Sequence, residues 1–199
     1  MANYTALSAS TAAVTNRFVT STNMSLTPYT IANGGLPTWQ GGCFVTVTHT
    51  TVAGTDTLGT MTLVGVGLDG QVQSETLTPV ADSTVTSTKA YKSVTSLTSL
   101  GWVAVSTADT IVAGVAAGSI VCGSSGQLYG VVVNATAAAT IVLSDSKRTI
   151  ATFAASIANG HYLYGPTGLD FTGFLKVALT STNDITVLHS ATLPATIAS

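Results

Sequence analysis

The stretch CFVTVTHT, Cys43 to Thr50, sets Phe44, Thr46 and Thr48 on one face of an extended chain and Val45, Val47 and His49 on the other. β-branched side chains lose rotamer freedom against a helical turn and fit a pleated sheet well. Similar Thr- and Val-rich runs recur as TMTLVGVGL, QVQSETLTPV, STVTSTKAYKSVTSL, QLYGVVVNA, ATIVLSD, FTGFLKVALT and DITVLHS. No stretch carries a capped apolar period of 3.6 residues, and a short helix around Ala151 to Ala158 is the only one tolerated. The expected fold class is all-β.

Turn chemistry divides the chain. Pro28, Asn33-Gly34-Gly35 and Pro37 punctuate residues 1–40, which read as an extended N-terminal arm in which Arg17-Phe18-Val19 can pair as a strand. The Gly123-Ser124-Ser125-Gly126 stretch has no apolar content and marks a boundary. Residues 41–123 and 127–199 are then two small β-sandwich or barrel-like domains, built from short strands between regular turn signals.

Only 7% of the 199 residues are charged, against about 25% in an average soluble protein. The net charge is −2, and the six basic residues are too scattered to follow a phosphate backbone, so no nucleic-acid partner is expected. A surface so poor in charge is weakly protected against association, which points to cover by other chains. The most apolar run, Val103 to Gly123, contains Asp109 and four hydroxyl residues and lacks basic anchors, so no membrane span is expected. The start, MANYTALSAS, has neither the basic nor the apolar region of a secretory signal. Cys43 and Cys122 sit in apolar, strand-like surroundings and read as two buried thiols, with a disulfide left open.

GVGLDG, Gly65 to Gly70, matches the G-x-G-x-x-G spacing of dinucleotide sites. A pyrophosphate there needs the N–H groups of a following helix, and the next residues are the β-rich QVQSETLTP. Asp69-Gly70 instead predicts a two-residue type I′ hairpin turn with φ > 0 at both positions. Gly65 and Gly67 share one face of the strand before it, where absent side chains admit a neighbour.

The carboxylates, among them Asp56, Asp69, Asp82, Asp109 and Asp170, fall mostly in turns, where short acids bond to nearby N–H groups. His49, His161 and His189 lack the paired spacing of zinc ligands, and each reads as a hydrogen-bonded strand residue. No G-x-S-x-G elbow is present, and no cationic residue adjoins Cys43 in sequence to activate it. The expectation is therefore no enzyme, with no catalytic, cofactor-binding or metal-binding residue and no cofactor. Phe18, Trp39, Trp102, Tyr129, Tyr162 and Tyr164 are the aromatic candidates for an interface.

The order of motifs resembles a module recurrent in virion proteins of tailed bacteriophages. It comprises Gly67-Leu68-Asp69-Gly70, then Glu75-Thr76-Leu77, then the run Thr88-Lys89-Ala90-Tyr91-Lys92-Ser93-Val94-Thr95-Ser96. The segments GVVVNATAAATIVLSD and LDFTGFLKVALTSTNDITVLH also resemble a small β-sandwich of phage structural proteins. The resemblance implies a structural protein of the outer capsid surface, a decoration or cement protein bound to the major capsid protein as a homo-oligomer, with a trimer expected. The alternative it implies is a tail, baseplate or head-fibre component that binds a host receptor or glycan through Tyr129, Tyr162 and Tyr164. A cell-wall hydrolase using a carboxylate such as Asp170 is a third, weaker reading.

Overall fold

In a computed structural model, residues 3–7, 13–34, 41–104, 106–135, 138–181 and 183–191 are described. Among them there are strands and turns and no helix. In chain order the strands are β1 (Asn3–Leu7), β2 (Val14–Asn23), β3 (Cys43–Thr50), β4 (Thr60–Gly67) and β5 (Val72–Leu77). Next come β6 (Thr84–Leu100), β7 (Thr110–Val115), β8 (Ser119–Cys122), β9 (Gly126–Ala135) and β10 (Ile141–Ser144). The last are β11 (Thr149–Phe153), β12 (Gly160–Leu163), β13 (Leu169–Phe171), β14 (Leu175–Leu179) and β15 (Asp184–Ala191).

The chain forms two compact units. The first holds residues 11–38 and 42–117, and the second holds residues 1–10, 39–41 and 118–199. This corrects the expected boundary: the division falls after Ala117, and Gly126 already opens β9. It also corrects the arm, because β1 and β2 are strands in the sheets of different units. The tolerated helix is absent as well, since residues 149–153 pair with β10 as β11.

The first unit is one antiparallel sheet in the order β2-β7-β3-β6-β4-β5, consistent with the expected sandwich-like architecture and not a closed barrel. Its core is the inward face: Val45 and Val47 of β3, Met61 and Leu63 of β4, Ile111 and Ala113 of β7, with Phe18 of β2. Strict alternation in β3 puts Cys43, Val45, Val47 and His49 inside, as the sequence pattern predicts.

β6 obeys a different rule. Its buried residues are Ser87, Tyr91, Val94 and Leu97, at intervals of three or four rather than two. The register explains it. Between Leu97, opposite Leu63, and Tyr91, opposite Gly67, Thr95 and Lys92 have no partner on β4. Another irregularity falls opposite Val45, whose N–H donates to the Ser87 hydroxyl at 2.9 Å while that hydroxyl donates to the Lys89 carbonyl. Each bulge bends the strand and increases its twist. The 17-residue strand thus borders β3 with its first half and β4 with its second, and the sheet coils.

The second unit stacks two sheets on one core. One has the order β1-β15-β9-β12, with β13 also on β9, and the other is β11-β10-β14-β8. Leu7, Leu128, Val131, Ile185 and Val187 of the first sheet meet Ile141, Leu143, Leu175 and Val177 of the second. This is the expected sandwich-like packing.

Cys43 lies in the core of the first unit and Cys122 in that of the second, and both are free thiols. Burial pushes the Cys43 thiol up to about 12, and the charge of Arg17 offsets only part of that. Arg17 is a cationic neighbour that adjacency in sequence does not reveal. A thiolate is the reacting form, so Cys43 is expected to resist alkylation in native protein and to label at the rate of a free thiol in denaturant. Mass spectrometry of quenched time points checks this.

Candidate functional site

Three loops at one end of the first unit converge on a buried polar network. His49, near the end of β3, and Asp56, on the loop after it, have side chains only 0% and 1% exposed, so solvent does not screen the pair. Their Nε2–Oδ2 distance is 3.0 Å. Asp109, just before β7, is also fully buried. Its Oδ1 accepts the N–H groups of Val52 and Ala53 at 2.6 and 3.2 Å, and its Oδ2 accepts that of Ser106 at 2.8 Å. The Asp56 side chain also helps to lower the pKa of Asp109.

Proton placement follows from the donors. The N–H of Asp82 points at His49 Nδ1, 3.3 Å away, so Nδ1 is the acceptor and Nε2 carries the hydrogen. The N–H of Val52, with those of Ala53 and Ser106 and the Asp56 carboxyl, holds Asp109 below the usual carboxylate range despite its burial. The network thus sets the His49 imidazole against the Asp82 N–H and the Asp109 carboxylate against the N–H groups of Val52, Ala53 and Ser106.

Local sequence explains why the four residues meet. Asp82 precedes Thr84, which lies opposite Thr48, and Asp109 precedes Thr110, which lies opposite Thr50. Pairing of β3 with β6 and β7 thus delivers both acids to the end of β3 where His49 stands. Asp82 has φ = 48°, a left-handed conformation that aspartate tolerates better than most residues, and its Oδ1 accepts the N–H of Thr51 at 2.6 Å. The coil of β6 brings Trp102, just beyond its far end, edge-on to His49 with ring centroids 6.1 Å apart. The Trp102 indole donates to the Thr60 carbonyl at 3.1 Å.

Turn acids and a strand histidine are each legible in the sequence, but their meeting is not. The loops tied by these hydrogen bonds carry Val52, Val80 and Val103, which are 63%, 53% and 60% exposed. Val52 is tied to Asp109, the loop of Val80 is tied through Asp82 to Thr51, and Val103 bridges Thr57.

A second constellation unites the motif residues. On β5, Gln73 lies opposite Gly65 and Glu75 opposite Leu63. Both side chains reach β6: Glu75 Oε1 accepts the N–H and hydroxyl of Thr88, Oε2 accepts the Lys89 N–H, and Gln73 donates to the Ala90 carbonyl at 2.7 Å. Lys89 in turn donates to the Ser74 carbonyl. The space for this clasp is the missing side chains of Gly65 and Gly67. A Cβ on Gly65 would meet the Ser93 carbonyl oxygen and come within 2.8 Å of the Tyr91 ring, and one on Gly67 would lie 3.1 Å from the Gln73 carboxamide carbon.

The turn beyond them differs from the expected type. Gly70 N–H donates to the Gly67 carbonyl, so Leu68 and Asp69 are the central residues, and only Gly70 has positive φ, at 80°. Asp69 accepts the Gln71 N–H at 2.9 Å. This is a three-residue hairpin loop, a type I turn closed by a left-handed glycine, in place of type I′.

The aromatic candidates among the described residues are divided between the two units. Phe18 is fully buried in the first core, which corrects its reading as an interface residue. Trp39 lies outside the described residues. Tyr129 donates to Gln127 at 3.0 Å, Tyr162 donates to the Ala158 carbonyl and stacks edge-on against Phe153, and Tyr164 is half-buried with its phenol pKa raised by burial. His161 is exposed on β12. Asp170 lies 3.4 Å from the Gln127 amide on the exterior.

His189, in contrast, is buried in the second unit, with Nε2 3.0 Å from the Thr5 hydroxyl and Nδ1 unpartnered among the described residues. Burial lowers its pKa below the ordinary 6.5. The unfolded chain therefore takes up the proton first, and stability falls as pH drops through the window beginning near 6.5. Urea midpoints of the second unit's signals are expected to fall between pH 7 and 5, and His189→Phe is expected to flatten that slope.

No family model, curated protein or solved structure matches this chain.

Proposed function

We propose that the chain is a structural virion protein of a tailed bacteriophage, a capsid decoration or cement protein that binds the outer shell and stabilises it. The observation that carries this reading is the set of exposed valines on the loops tied by the network. Three exposed apolar side chains stand on three loops, and a sealed hydrogen-bond network fixes those loops before any partner arrives. Fixing a contact surface in advance lowers the ordering entropy of association. The network's own groups are turned inward on backbone donors, an arrangement suited to holding shape.

The clasp supports the same reading. Residues that resemble the phage module, Glu75 and Thr88-Lys89-Ala90, are among those that bind β5 to β6. The partner is the major capsid protein, and copies of the chain associate with one another, with a trimer expected at a three-fold position.

Purified chain added to tailed-phage heads stripped of accessory proteins tests this. Bound copies in cryo-electron microscopy, with a higher temperature of DNA release, are the expected result, and Val52→Asp with Val103→Asp abolishes both. Finding the chain only in the tail, or absent from particles, overturns the proposal.

A further inference from the structure

The second unit is assembled from distant parts of the chain. Its strands β8 to β15 begin at Ser119, whereas β1 comes from Asn3–Leu7, and the first unit is built almost wholly from the residues between. Among the described strands, β1 is an end strand that pairs with β15 alone, from Asn3 opposite His189 to Leu7 opposite Ile185. It can leave without breaking any other pairing. Its place is nonetheless essential to the sheet: Leu7 is 1% exposed within the core, and among the described residues Thr5 supplies the only side-chain partner of His189.

The edge that β1 covers is unprotected. β15 reads DITVLHSA, with one charge at its first residue and no lysine or proline to discourage pairing. An uncovered β15 is completed by a strand of matching register and inward Leu7, and a second copy of this chain carries one.

We propose that β1 is exchanged between copies, so that the first strand of one chain completes the five-stranded sheet of its neighbour. Exchange replaces every contact by an identical one, so chain connection and concentration set the balance. The inference rests on the self-association part of the proposed function, and capsid binding is not required.

The test uses Ala6→Cys and Thr186→Cys, which occupy facing positions in the β1–β15 register. Directly opposed antiparallel residues lie within the span of a disulfide. The two single-variant full chains are mixed, refolded together at high concentration, oxidised and run on a non-reducing gel, while light scattering gives the mass of the unmodified chain. The expected result is an oligomer whose mixed variants yield a covalent dimer cross-linking residue 6 to residue 186 by peptide mapping, with a yield that falls at least several-fold on hundredfold dilution. An oligomer with no 6–186 dimer, while the double variant closes within each chain, overturns strand exchange and leaves self-association standing. A monomer at every concentration overturns both.

Discussion

Gly65→Ala is expected to destabilise the first unit by about 3 kcal/mol, near the top of the usual range for overpacking. The backbone of Gly65 is not left-handed, so the cost is not conformational. The added methyl meets the Ser93 carbonyl oxygen of β6, and backbone held by ladder hydrogen bonds cannot step aside as a side chain can. The Tyr91 ring, fully buried and 2.8 Å from the same methyl, closes the other side. Gly70→Ala is the control. Gly70 has φ = 80°, and a methyl added there meets nothing within 4 Å, so only left-handed strain of about 1 kcal/mol is expected. Urea unfolding followed by tryptophan fluorescence separates the two, and equal losses would refute the packing account.

The second large effect belongs to the polar network. His49→Phe keeps an aromatic ring beside Trp102, but it removes the acceptor for Asp82 N–H and the donor to Asp56. Leaving buried partners unpaired is expected to cost about 3 kcal/mol. Asp109→Asn acts in the same direction, because a neutral amide cannot receive three backbone N–H groups as a carboxylate does. Asp109 also fixes the acid limit of the unit. Its folded pKa lies below the ordinary 3.8, so its contribution is complete above that value and is lost as pH falls through the folded pKa. Acid titration below pH 4 is expected to show a step that Asp109→Asn abolishes.

These two sites differ in how far the sequence announces them. β3 and the β4–β5 hairpin follow from alternation and from Asp69-Gly70, because period and turn chemistry are local. The packing role of Gly65 and Gly67 is also legible, since glycines two apart in a strand leave one face bare. What they admit, the reach of Gln73 and Glu75 to β6, depends on a register that the next strand sets. The type I turn at Leu68-Asp69 replaces I′ because one hydrogen bond, Gly70 to Gly67, moves the centre by a residue.

The network required still more distant information. His49, Asp56, Asp82 and Asp109 span sixty positions, and only the pairing of β3 with both β6 and β7 brings them together. β1 escaped for a similar reason. Five residues of mixed polarity read as arm when their partner strand lies near the other end of the chain.

The bulges of β6 bear on how this chain can change in length. Losing one residue from an ordinary strand turns every later side chain to the wrong face. Between Val94 and Leu97, and again between Tyr91 and Val94, the loss of one residue instead restores a spacing of two, and the buried residues stay buried. What disappears is curvature. β6 is thus a strand in which single-residue insertions and deletions act as adjustments of shape, and relatives of this protein can differ by one residue there while keeping the same core.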